Sequence, residues 1–401
     1  MAKQELVKEL ENGRASFSLW GTVKVDSETF GEEQKSKSGY IYKRANFPVQ
    51  TGEGRSTYVG LMGGFFPDNK VLKRYNKNSN EMFEIAWEDR KNEQIIEQVS
   101  PGALITVRVE HEDPEDDSSK LITKQFISEM DAIDYLRDKL HNGEDVYIGG
   151  QVDYSYYNDK VQRQLNIHTI ALNEPYVKDG EQQPAHTHDA ILRQTYLLDD
   201  SSVSKRFKSE LEKNHETVIS AWVPQYVSKI DGREIKAIRP LPQTFVIQAD
   251  GSDEDLERQT KLVEKFIKVP SRDFVRQMSV ESTIADGFET VQGEVELTDE
   301  LKELIDLGIM KKEDIEQQMT VTGSSVRKLI FRLPLLDKET KQVFLDKYDP
   351  SVLVVPDLDD DDTKDDPFSD GETETVVEEA EVSSDDKDGL NGALDDLFKD
   401  A

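Results

Sequence analysis

The chain has 401 residues, no cysteine, and 82 Asp or Glu against 50 Lys or Arg, for a formal net charge of −32. That length holds two or three domains with real cores, and the missing cysteine removes disulfides, thiol catalysis and cysteine-ligated zinc while suiting a cytosolic home. No apolar run reaches the roughly 18 residues that a membrane helix needs, and Met1–Glu5 lacks the apolar stretch of a secretory signal.

Residues 2–12 read as a short helix closed by Gly13, an N-terminal unit of residues 1–13. Strands follow. Residues 15–26 place Phe17, Leu19, Gly21, Val23 and Val25 on one face, and 40–50 alternate in the same way. Further strands are expected at 57–62, 82–87, 104–110 and 121–126, joined by turns rich in Gly, Pro, Asn and Asp. Residues 131–140 have helical spacing (Ile133, Leu136, Leu140). A second strand series opens at Asp145, turns at Asn158-Asp159 and returns through 162–172. Later strands are expected at 190–198, 216–227 and 235–248, then a helix at 253–267. A helix is expected at 298–317, a buried strand at 324–336, and Pro356 marks the end of folded matter. The fold class is mainly β with some α. Its units are 14–142, 143–296, a helical segment with a closing strand at 297–356, and a tail at 357–401.

Charge is unevenly spread. Residues 357–401 carry nineteen Asp or Glu against three Lys, with few apolar residues before the tip, so the tail is expected to be disordered. At its tip, Leu390, Leu394, Leu397 and Phe398 recur at helical spacing among acids. Residues 34–80 are the opposite: nine Lys or Arg against Glu53 and Asp68, interleaved with Tyr40, Tyr42, Phe47, Tyr58, Phe65, Phe66 and Tyr75. Cations that track phosphate and rings that stack on bases suit a single nucleic-acid strand. The alternative is a solvated strand pair whose rings belong to the core. Net acidity argues against a general coat for duplex DNA, yet charge acts over only about 8–10 Å and leaves room for a basic cleft.

Residues 16–23 (SFSLWGTV) and 146–152 (VYIGGQV) resemble first strands of OB-folds, in which a mid-strand glycine lets one strand serve both halves of a five-stranded barrel. With the basic-aromatic window and the acidic tail, the chain resembles the single-stranded DNA-binding proteins of bacteriophages. The resemblance implies two OB-fold-like small barrels, at 14–142 and 143–296. It also implies action in the cytoplasm of an infected bacterium during DNA replication or recombination, and a tail that recruits replication or recombination proteins and competes for the cleft. Phenylalanine is not terminal here, unlike in many such tails, and two units in one chain stand where others oligomerise.

Period two puts Tyr40, Tyr42, Arg44 and Asn46 on one strand face and Ile41, Lys43, Ala45 and Phe47 on the other. The DNA-binding candidates are Tyr40, Tyr42, Lys43, Arg44, Arg55, Tyr58, Lys73, Arg74, Tyr75 and Lys77, with 73–77 read as a loop over a groove. The partner-binding candidates are Leu394, Asp395, Asp396, Leu397 and Phe398. Trp20 and the pair Tyr154/Tyr156 read as core more readily than as stacking residues. His186 and His188 lie in a polar loop, a poor metal site. With no phosphate loop, serine elbow or zinc-protease motif, the expectation is a protein without enzymatic activity, metal or cofactor. The rival reading is an acidic phage scaffold protein that binds no nucleic acid.

Overall fold

Alternation of apolar side chains builds the first strand, β1 (Ala15–Val23): Phe17, Leu19 and Val23 are buried on one face. The structure, a computed structural model, describes residues 6–113, 119–157, 160–178, 181–230, 233–291 and 321–354. The helix expected at 298–317, the tail from 357 and its partner-binding tip lie outside them. After β1 come β2 (Gln34–Lys35), β3 (Ile41–Gly52), β4 (Arg55–Phe65), β5 (Val71–Tyr75) and β6 (Met82–Ala86). The single helical turn α1 (Glu93–Ile96) and strands β7 (Ile105–Arg108) and β8 (Lys124–Phe126) lead to helix α2 (Glu129–Lys139). Ser128 caps α2 by accepting from the Met130 amide, and Met130, Ala132, Ile133 and Leu136 give it one buried face.

The long hairpin β9 (Asp145–Tyr157) and β10 (Lys160–Leu172) follows, then the small hairpin β11 (Tyr176–Lys178) and β12 (Glu181–Gln183). The second half holds β13 (Asp189–Leu198), α3 (Phe207–Asn214), β14 (Glu216–Ile230), β15 (Arg233–Gln248) and α4 (Asp253–Leu262). It ends in β16 (Val275–Val291), β17 (Val321–Leu335) and β18 (Phe344–Tyr348).

The chain is mostly β, and its main sheet closes on itself. In a first five-strand circuit β1 pairs with β9, β9 with β10, β10 in parallel with β4, and β4 with β3, which returns to β1 at Thr22 and Val23. In a second, β13 pairs with β14, β14 with β15, β15 in parallel with β17, and β17 with β16, which returns to β13. The circuits join where β1 lies antiparallel to β13 from Ala15 to Trp20. One apolar core runs through both, from Phe17, Phe47 and Ile148 to Phe245, Val280 and Leu329. β1 leaves β13 for β3 at Gly21, where a Cβ would stand 2.3 Å from the Gln50 carbonyl oxygen. Only glycine allows that approach. The circuits also touch where Arg55 registers against Gly287. Gly287 has φ +155, and a Cβ there would sit 2.3 Å from the Gly54 carbonyl oxygen.

Several sequence expectations are corrected. Residues 6–12 form no helix: Val7 makes a parallel bridge to Tyr348, and Val7 and Leu10 pack beside it. The hairpin of β9 and β10, expected to open a second unit at 143, pairs with β1 and β4 and completes the first circuit. Of residues 73–77, expected as a loop, 73–75 belong to strand β5 and Lys77 lies in the turn after it, because Leu72 registers against Ile85 and both are buried in a small separate core with Val99, Leu104 and Ile127. β16 escaped notice because two of its inward positions are Arg276 and Ser282. The buried Arg276 is satisfied by both oxygens of Asp346 at 2.7 and 3.0 Å, and it lies over the Phe344 ring.

Candidate nucleic-acid interface

The face of β3, β4 and β10 that turns away from the core floors a cleft of about 2140 Å³. On β3, Ala45, Phe47 and Val49 go inward, leaving Arg44, Asn46, Pro48 and Gln50 outward. On β4, Thr57, Val59 and Leu61 are buried, and Ser56, Tyr58, Gly60 and Met62 alternate with them. On β10, Leu165 and Ile167 fill the core while Gln164, Asn166 and His168 face the cleft. Cross-strand register lines these up: Arg44 opposite Met62, Asn46 opposite Gly60, Pro48 opposite Tyr58. Tyr58 is 44% exposed, so its ring lies open on the floor. The β5–β6 side supplies Lys73, Arg74, Tyr75 and Asn80 as one wall, and Tyr75 is 48% exposed. The second circuit supplies the opposite wall, with Gln243, Thr244, Gly287 and Arg327.

Seven Lys or Arg line the cleft against five Asp or Glu, a local positive excess in a chain of net charge −32. Arg74, Arg163 and Lys73 are engaged by neighbouring oxygens. Arg74 Nη2 donates to the Ile127 carbonyl at 2.6 Å and to Glu129 Oε1 at 2.9 Å. Arg163 Nη2 donates to Asp286 Oδ2 at 2.6 Å and thereby ties β10 to β16. Lys73 stands 3.2 Å from Glu84, an exposed pair of little weight. Lys24, Arg55 and Arg327 pair with no carboxylate among the described residues. Burial pushes the Glu129 carboxyl up against the opposing pull of Arg74. The Tyr40 phenol is also raised, by burial first and then by Glu129. Burial lowers the His168 pKa below that of a solvated imidazole, with Asp153 opposing the shift and Arg74 adding to it.

Of the residues singled out from sequence, Arg44, Arg55, Tyr58, Lys73, Arg74 and Tyr75 line the cleft. Tyr40 and Tyr42 stack on each other just past its end, centroids 6.1 Å apart and planes 12° apart, and Tyr40 also meets Phe66 at 4.9 Å. Tyr42 Oη donates to Gln34 Oε1 at 2.8 Å. Lys43 points to α2, its Nζ 2.6 and 2.7 Å from the two Asp134 oxygens. Lys77 is exposed outside the lining. Trp20 packs against Tyr147 and His186, both at 5.2 Å, Tyr154 is buried, and His188 Nε2 lies 2.7 Å from Asp145. The sequence reading missed Lys24, Asn166, His168 and Arg327. The polar alternation of β10 was a usable signal for two of them; no local pattern marks Lys24 or Arg327.

No family model and no curated protein matches this chain. Among solved structures it is similar to two of the single-stranded DNA binding protein from Thermus aquaticus. One is a deletion mutant, at 10% identity and TM-score 0.27, covering 69% of this chain and 88% of that one. The other is the wild type, at 9% identity and TM-score 0.28, covering 69% and 87%. Likeness at this level has no bearing on what the cleft does, which follows from its own residues. Among those described, no helix is long and apolar enough to cross a membrane.

Proposed function

We propose that the chain binds single-stranded DNA along the outward face of β3, β4 and β10, with little preference for sequence. Each five-strand circuit is read as an OB-type barrel. In both, the third and fifth strands run parallel, and a helix, α2 or α4, precedes the fourth. In such barrels the second and third strands form the oligonucleotide face, and in the first circuit these are β3 and β4. The observation that carries the reading is the composition of that face. Where its inner side is Phe47, Val49, Val59 and Leu61, its outer side is Arg44, Asn46, Tyr58 and Met62, open to a cleft bordered by Arg55 and Arg327. Charge there tracks phosphate and the rings stack on bases. Nothing in this arrangement calls for turnover; it is a surface for holding a strand.

The equivalent face of the second circuit is different. Val218 registers against Val246 and Val246 against Ile330, with Lys328 held by Glu216 at 3.0 Å. We read this row, which has no spare cation and no exposed ring among the described residues, as a wall; the exposed Tyr226 lies further along the same face of β14.

The cellular role we attach, covering exposed strands during phage DNA replication or recombination, rests on the sequence resemblance and on the acidic tail. The tail would recruit partner proteins through Leu394, Leu397 and Phe398 and would compete for the cleft. Titration with fluorescent oligo(dT) at about 50 and 300 mM salt tests the binding. The expected result is affinity that falls with salt at about 0.7 log units per log unit for each phosphate neutralised, with duplex of equal length bound far more weakly. Absence of binding at low salt refutes it. A 1–356 truncation that leaves low-salt affinity unchanged removes the competition while sparing the binding.

A further inference from the structure

Three strands meet at one point of the cleft floor. Asn46 on β3 and Asn166 on β10 both register against Gly60 on β4, so two side-chain amides flank a residue that has no side chain. Neighbouring strands lie about 4.8 Å apart, which puts the two asparagine Cα atoms roughly 10 Å from each other. The space over Gly60 is open. A Cβ built there would find nothing nearer than the Ala45 carbonyl oxygen at 3.7 Å, and its next neighbour, at 3.9 Å, is Asn46 Oδ1 itself. Along β4 the gap is bounded by Tyr58 and Met62, 44% and 36% exposed.

The amides are differently prepared. Asn166 Nδ2 donates to Asp153 Oδ2 at 2.6 Å, which holds the group and leaves its Oδ1 to accept. The Asn46 amide has no partner among the described residues, so it keeps a donor and an acceptor. A donor beside an acceptor is the complement of an unpaired base. Every base carries on its Watson–Crick edge an N–H next to a lone pair: the amino group and ring nitrogen in adenine and cytosine, the ring N–H and carbonyl in guanine and thymine. In duplex both are consumed by the opposite strand.

We propose that Asn46 and Asn166 form a notch over Gly60 that takes the Watson–Crick edge of one base of the bound strand. The protein thereby selects unpaired bases without reading which base is present. This rests on the single-strand reading above and adds to it the chemical feature by which the cleft tells single strand from duplex. Tyr58 stacks with the face of a base in the same gap, and the amides take an edge.

The test compares oligo(dT) with an oligomer of N3-methylthymidine of equal length, which keeps phosphates and ring faces but blocks the edge. With the full chain, the methylated strand binds about tenfold more weakly, the value of roughly two net hydrogen bonds. The double variant Asn46→Ala/Asn166→Ala binds both strands alike, at the weaker level. Both side chains face outward, so a thermal melt within a few degrees of the unsubstituted protein shows the fold intact. Gly60→Ala is the second variant: its Cβ fits the open space, fills the notch and removes the same discrimination. Equal binding of the two strands by the unsubstituted protein overturns the notch and leaves strand binding standing. So does a difference that survives the double variant. Failure to bind either strand overturns both readings.

Discussion

Tyr58→Ala separates stacking from charge. The ring is 44% exposed on the cleft floor, directly opposite Pro48, and its hydroxyl has no hydrogen-bond partner among the described residues. Removing it costs the fold a cross-strand contact worth under about 1 kcal/mol, so the melting temperature moves by only a few degrees at most. A stacked base contributes about 1–3 kcal/mol by alanine substitution, so affinity for oligo(dT) should fall roughly 5- to 150-fold. Because no charge is removed, the slope of log K against log salt should stay as it was. Tyr58→Phe keeps the ring and should bind like the unsubstituted chain. Fluorescence anisotropy with labelled oligo(dT) at several salt concentrations, beside a thermal melt, reads all three quantities. If Tyr58→Ala binds within twofold of the parent while remaining folded, the open ring is not a stacking platform and the reasoning from exposure fails.

Arg55→Gln and Arg327→Gln, whose guanidinium groups have no carboxylate partner among the described residues, should each lower the magnitude of the salt slope by about 0.7. An unchanged slope in both would remove them from the phosphate path. Burial lowers the His168 pKa, so as pH falls below about 6.5 the unfolded chain takes up this proton before the folded one does. Native stability is therefore lost on that side, and His168→Gln should flatten this part of the loss when urea unfolding is compared at pH 7.5 and 5.5. Arg276→Met strips the partner from Asp346 and the cation from the Phe344 ring, far from the cleft. It should cost about 3 kcal/mol in denaturant unfolding yet leave DNA affinity unchanged under conditions where the variant is folded.

Strand existence was legible where a run of inward positions is apolar, as in β1, β3 and β10, and failed in β16, where Arg276 is buried with its partner Asp346. The short N-terminal segment misled for a related reason. Val7 and Leu10, three apart, mimic a helix face, but they serve an extended stretch that packs on Tyr348. Residues 16–23 and 146–152 read alike because each carries mid-strand glycine. The structure makes them neighbours, Phe17 against Gly150 and Gly21 against Val146. A glycine announces that another backbone comes close, and says nothing about which strand it is. At the cleft, the window 34–80 concentrates cations and rings in sequence, and six of those cations and rings line one groove. Within it, one step of period two sends Lys43 to Asp134 and Arg44 to the cleft. Lys24 and Arg327 reach the site only through closure of the circuits, and tertiary closure leaves no trace in local composition.

Photo-crosslinking of the full chain to an iodouracil-substituted single strand, with the attachment sites mapped by peptide mass spectrometry, tests the cleft most directly. Crosslinks should fall on the peptides that carry Tyr58 and Tyr75, the exposed rings on the floor and wall. They should disappear under competition by unlabelled oligo(dT). Crosslinks confined to exposed rings away from it, such as Tyr176 or Tyr226, would place the strand elsewhere and contradict the assignment of this face.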